Sequence, residues 1–175
     1  MHRKLHFCSL LCLIRHMSVH SLDHIIRPVT KDSTRRVGGI TQAEDDRSLV
    51  VAEAVKVDFA KANNLRYIQD ELNNVIIFGD ATPGYEDHEP VILQGHMDMV
   101  CEKDADCPID MEKEGLDITH DGNYIFAKGT TLGGDNGIAV AYALALLADK
   151  TIPHPALEVI ITVDEETGME GAAGI

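Results

Sequence analysis

The chain has 175 residues, with 29 Asp plus Glu against 15 Lys plus Arg and a formal net charge of −14. A length of this order with 45% hydrophobic residues is enough to bury a core, which excludes wholesale disorder, a collagen-like repeat and a disulfide miniprotein. The carboxylate excess argues against general nucleic-acid binding, because phosphates repel it, and no stretch reaches the roughly 18–20 apolar residues that span a bilayer.

The charge is divided unevenly. Residues 1–48 hold 8 of the 15 basic and 5 of the 29 acidic side chains, a balance of +3, whereas the rest carries −17. The N-terminus imitates a secretory signal, with Arg3 and Lys4 ahead of an apolar run from Phe7 to Ile14. Arg15 and His16 end that run early and no small-x-small cleavage site follows closely, so a cytoplasmic protein is expected. Residues 1–47 show no sustained period and read as an irregular segment; an ordered unit is expected over 48–175. The cysteines Cys8, Cys12, Cys101 and Cys107 form no CxxC pair and are expected as reduced thiols.

Within the ordered unit, the apolar spacing of residues 49–62 predicts a helix that ends at Asn63-Asn64. Leu65–Gln69 and Leu72–Phe78 read as strands joined by a turn at Asp70-Glu71. Val91-Ile92-Leu93 reads as a short buried strand, residues 101–117 as loop, and Tyr124–Ala127 as a strand. Gly133–Gly137 is a tight loop opening an alanine-rich helix over Ile138–Ala148. Leu157–Val163 is almost wholly apolar, as in the middle of a sheet covered on both faces. Strands alternate with helices, so the fold class is α/β with a central mixed sheet flanked by helices.

Three loops carry the chemistry. Each places His or acids beside glycine next to a strand, and ligands of open α/β sheets gather at the carboxyl ends of strands. In Gly95-His96-Met97-Asp98 the His and Asp are two apart, so on extended chain they share a side; His96 can bind a metal while Asp98 orients its ring. Asp135, within Gly133-Gly134-Asp135-Asn136-Gly137, taken alone reads as a helix N-cap, a role favoured for Asp. It is a poor phosphate loop, since neither GxGxxG nor the Walker pattern is present. Asp164-Glu165-Glu166 closes an apolar strand with adjacent acids, which are costly to gather unless solvated or neutralised by cations. Together, one His and several carboxylates suit Zn²⁺, with Mn²⁺ or Co²⁺ as alternatives, and Asp135 has two oxygens with which to bridge a metal pair.

The stretches VILQGHMDMV, GTTLGGDNGIA and VDEETGMEGAAG resemble the M20 metallopeptidase family, and within it the aminoacyl-histidine (Xaa-His) dipeptidase group. The resemblance covers residues 49–175. It implies His96 and Glu166 as ligands to separate zinc ions, Asp135 as the bridging ligand followed by a cis peptide, Asp98 as the partner that orients His96, and Glu165 as general base. The implied function is hydrolysis of dipeptide substrates in the cytoplasm, with no nucleic-acid or membrane partner.

Members of that family complete the metal pair with a further acid and a His that have no counterpart here, and they carry a lid or dimerisation domain. The expectation is therefore an N-terminal part of a catalytic domain, weakly active or inactive alone, with a homodimer open only to a longer protein. Residues 1–47 have no counterpart in the family pattern, and the scattered His2, His6, His16, His20 and His24 read as solvated. Two alternatives stay open: another M20 hydrolase, such as a tripeptidase or N-acyl amino-acid deacylase, and a non-catalytic metal-binding or interaction module.

Overall fold

The computed structural model describes residues 5–6, 59–111 and 114–175. The expected helix over 49–62 is seen in its last turn, helical at 59–62, and Asn63 Nδ2 donates to Phe59 O at the expected stop; residues 49–58 lie outside the described residues. The expected irregular segment 1–47 also lies outside them, except for β1 (Leu5–His6), which pairs antiparallel with Tyr124–Ile125.

The main sheet contains β2 (Arg66–Gln69), β3 (Val75–Gly79), β4 (Val91–His96) and β7 (Leu157–Thr162) in the order β2-β3-β7-β4. The β2–β3 and β3–β7 pairs are antiparallel, and β4 runs parallel to β7, so the sheet is mixed as expected. A smaller antiparallel sheet joins β1, β6 (Tyr124–Ala127) and β5 (Ile118–His120). Their hairpin turns on Asp121, whose Oδ1 accepts from the N–H groups of Asn123 and Tyr124. Helix α1 (Gly134–Ala148) lies against the main sheet, and two short helices, α2 (Glu165–Gly168) and α3 (Glu170–Ala173), follow β7.

The core forms where α1 meets β3 and β7. Val140, Ala143, Leu144 and Leu147 pack with Val75 and Ile77 of β3 and with Leu157, Val159 and Ile161 of β7, joined by Phe59 and Ala60. These positions recur three and four apart on the helix and two apart on the strands, the periods that bring one face of each element to the core. Gly95 permits the helix to sit close on β4: a Cβ there would lie 3.0 Å from Ala139 Cβ and 3.4 Å from Val140 N.

Two expectations are corrected. Leu72–Asn74 are not strand, because Asp70 Oδ1 accepts from the N–H groups of Leu72 (2.9 Å) and Asn74 (2.8 Å) and winds 70–74 into a turn. Such side-chain capping of nearby amides competes directly with a strand ladder. The start of β4 is not buried: Val91 and Ile92 are 41% and 60% exposed, because among the described strands β4 is an edge that pairs with β7 alone. The central place of β7 agrees with its apolar run, although Glu158 and Ile160 on its second face are only half-buried.

Leu144→Ala is expected to lower the unfolding free energy by about 2–5 kcal/mol, whereas Ile92→Thr should stay within about 0.5 kcal/mol. Urea denaturation followed by circular dichroism checks both; equal effects would contradict the placement of the core.

Candidate active site

The site follows from one strand pairing. β4 and β7 are parallel and in register from Val91 opposite Leu157 to His96 opposite Thr162, so both chains leave the sheet at the same end, side by side. Beyond the ladder, Met97 N–H donates to Thr162 O (2.8 Å) and carries the pairing into the first loop. Gln94 Nε2 donates to Thr162 Oγ1 (3.1 Å) within it. The start of α1 reaches the same end, and with it Asp135.

His96 is 4% exposed, at the last position of β4. Its Nδ1 lies 3.1 Å from the backbone oxygen of Asp98 and 3.3 Å from Asp98 Oδ1. Both neighbours are acceptors, and the hydrogen bond of Nδ1 goes to the backbone oxygen; Asp98 Oδ1 is buried and within contact distance, yet makes no aligned hydrogen bond. The other ring nitrogen, Nε2, faces Asp135 Oδ1 at 3.4 Å and Glu165 Oε2 at 3.8 Å.

Asp98 also reaches the opposite loop. Its Oδ2 accepts the backbone N–H of Glu166 at 3.0 Å, so one carboxylate faces the ring of His96 and holds the first turn of α2. That turn begins at Asp164, whose left-handed backbone (φ 54°) swings the chain from β7 into the helix. Ligand atoms of His96, Glu165 and Glu166 all lie within 4.8 Å of one another. Asp135 and Asn136 depart from helical geometry inside α1, and the regular helix begins at Gly137, whose N–H donates to Gly133 O. The peptide between Asp135 and Asn136 is cis.

His96, Asp98, Asp135, Glu165 and Glu166 are thus brought to one place. The arrangement fits a divalent cation: an imidazole nitrogen and carboxylate oxygens, all of them metal donors, converge on one place, and gathered carboxylates are stabilised by positive charge between them. One nitrogen with several carboxylate oxygens is a donor set for Zn²⁺, Mn²⁺ or Co²⁺. The sequence places Asn74 inside the expected strand Leu72–Phe78 and gives it no role; the structure sets it directly before β3. Its side chain is fully buried and hydrogen-bonded to the backbone on both sides of the Glu165 segment.

The profile of Peptidase family M20/M25/M40 matches residues 92–175. The chain is 44% identical over 119 residues to the cytosol non-specific dipeptidase of Escherichia coli (strain K12), a match that takes in 68% of this chain and 24% of the relative. The crystal structure of aminoacylhistidine dipeptidase from Vibrio alginolyticus superposes with a TM-score of 0.72 at 36% identity, covering 91% of this chain and 30% of that one. A tripeptidase from Staphylococcus aureus subsp. aureus mu50 shares the fold at 22% identity and a TM-score of 0.59, over 88% of this chain and 38% of that one. The chain therefore spans about a quarter to a third of the length of the dipeptidases it matches.

His96→Ala removes the one nitrogen donor of the cluster and is expected to weaken Co²⁺ binding at least tenfold, about 1.4 kcal/mol. Calorimetric titration checks this; unchanged affinity would place the metal elsewhere.

Proposed function

The chain belongs to peptidase family M20/M25/M40 through residues 92–175, and on that premise we propose that it supplies part of a dinuclear zinc centre that hydrolyses dipeptides in the cytosol. The observation that carries this reading is the buried His96, engaged through Nδ1 by Asp98 and facing the carboxylates of Asp135 and Glu165 through Nε2. Dipeptides ending in histidine are the first substrates to test, on the likeness to the Vibrio alginolyticus dipeptidase; the printed name of the Escherichia coli relative supports a broader dipeptide range and a cytosolic location. Among the described residues no helix is long and apolar enough to cross a membrane.

In this reading His96, Asp135 and Glu166 would hold the metal pair, with Asp135 as the ligand common to both sites. Asp98 orients the ring of His96, as carboxylate partners of metal-binding histidines do. A bound metal supplies Lewis acidity toward the scissile carbonyl and the attacking water. Glu165 takes a proton from that water as its oxygen bonds to the carbonyl carbon, then returns the proton to the amine nitrogen as the C–N bond breaks. A second reading makes Glu165 a ligand, favoured by the mutual closeness of its carboxylate to His96 and Glu166.

The test uses the chain fused to the part of the Escherichia coli dipeptidase that lies outside the matched stretch. With Zn²⁺ it is expected to hydrolyse Xaa-His dipeptides, and Glu165→Gln should lower kcat by about 10²–10⁴-fold. Zinc content by atomic emission should stay unchanged in that variant. Loss of zinc would favour the ligand reading, and an unchanged kcat would overturn both roles.

A further inference from the structure

We propose that Asn74 is a positioning residue for the acidic segment 164–170, which carries Glu165 and Glu166. The inference rests on the reading of those acids given above, but the hydrogen bonds behind it do not. Asn74 is fully buried immediately before β3. Its Oδ1 accepts the backbone N–H of Val163 at 3.1 Å, and its Nδ2 donates to Gly171 O at 2.9 Å and to Asp70 Oδ2 at 2.7 Å. The donor and the acceptor flanking it set which end of the amide is oxygen and which nitrogen. Both hydrogens of the Nδ2 are used, and the oxygen is used as well.

Val163 and Gly171 flank segment 164–170, so one side chain clasps both of its ends. The segment has little means of holding its own shape. It turns through left-handed backbone at Asp164 and Met169, and its helix α2 and the helix α3 that begins at its end are single turns, far shorter than helices that persist alone. Inside the clasp, Glu166 N–H donates to Asp98 Oδ2 and ties the segment to the loop after β4. Packing at the clasp leaves no slack: a Cβ on Gly171 would lie 2.7 Å from Asn74 Oδ1 and would collide with the carbonyl oxygen of Val163. Asp at position 74 could accept from Val163 but not donate to Gly171, and it would set a second carboxylate against Asp70. A hydrocarbon would leave Val163 N–H without its buried acceptor, and an unmet polar group of this kind is costly.

The 175-residue chain is compared with Asn74→Ala and with Leu147→Ala, a core change at the far end of α1, by amide hydrogen exchange and by Co²⁺ titration followed by visible absorption. In Asn74→Ala the amides of 163–171 are expected to exchange about 10–100-fold faster than in Leu147→Ala, while β3 stays protected. The Co²⁺ Kd should rise about 10–100-fold with a change in the visible band, and Leu147→Ala should show neither effect. Unchanged exchange across 163–171, or faster exchange with wild-type Co²⁺ affinity and band, overturns the proposal. Failure of the wild-type chain to bind Co²⁺ counts against the metal reading, whereas faster exchange in Asn74→Ala would still support the clasp. If Asn74→Ala does not fold, Asp70→Ala releases Nδ2 from its anchor and is expected to shift the same readouts in the same direction; no shift overturns the proposal.

Discussion

The parallel pairing of β4 with β7 is the constraint on which the rest depends. Antiparallel neighbours send their chains out at opposite ends of a sheet; a parallel pair sends both out together. His96 and Thr162 are opposite each other at the end of that pair, so a His at the end of one strand comes beside acids that lie almost 70 residues further along the chain. Register matters as much as direction, because slipping a strand by one residue turns every side chain to the other face. Core burial of Leu157, Val159 and Ile161 holds β7 in its register, and the bare backbone of Gly95 lets α1 close over the end of β4 and bring Asp135 to the same place.

Electrostatics then gives the site its character. Much of the chain's acidity lies beyond residue 48, and part of it is concentrated around one imidazole. Asp98 stands apart from the other carboxylates. It lies behind the ring, on the Nδ1 side, and its second oxygen holds a backbone amide of the opposing loop, so a single side chain reaches both the ring and the loop. Asp135 and Glu165 lie in front, on the Nε2 side, where negative charge gathers.

A second polar network lies beneath the acidic segment. Asp70 winds the β2–β3 turn through backbone amides and at the same time anchors Asn74, whose amide meets the backbone at Val163 and Gly171. Buried polar groups of this kind are tolerated only when their bonds are made, and here every donor and acceptor of the Asn74 amide has a partner. The turn between two ordinary strands is therefore mechanically joined to the loop after β7.

Much was legible in the sequence because it is governed by neighbours in the chain. Glycine and acids beside strand ends marked the loops; the apolar run of Leu157–Val163 marked a central strand; and the alanine-rich stretch Ile138–Ala148 after the glycine loop marked the helix. The motifs around His96, Asp135 and Glu166 identified the family that the profile match over residues 92–175 bears out. What misled was also local in cause: Leu72–Asn74 look like strand because hydropathy does not register a carboxylate that captures two amides, and Val91-Ile92 look buried because an apolar strand carries no sign of being at an edge. Residue types and local periods were determined by the sequence alone. Which nitrogen of His96 faces which acid, and that Asn74 holds the loop of Glu165 and Glu166, were decided only by the tertiary structure, because hydrogen bonds between residues some 70–100 positions apart exist only once the strands between them have paired.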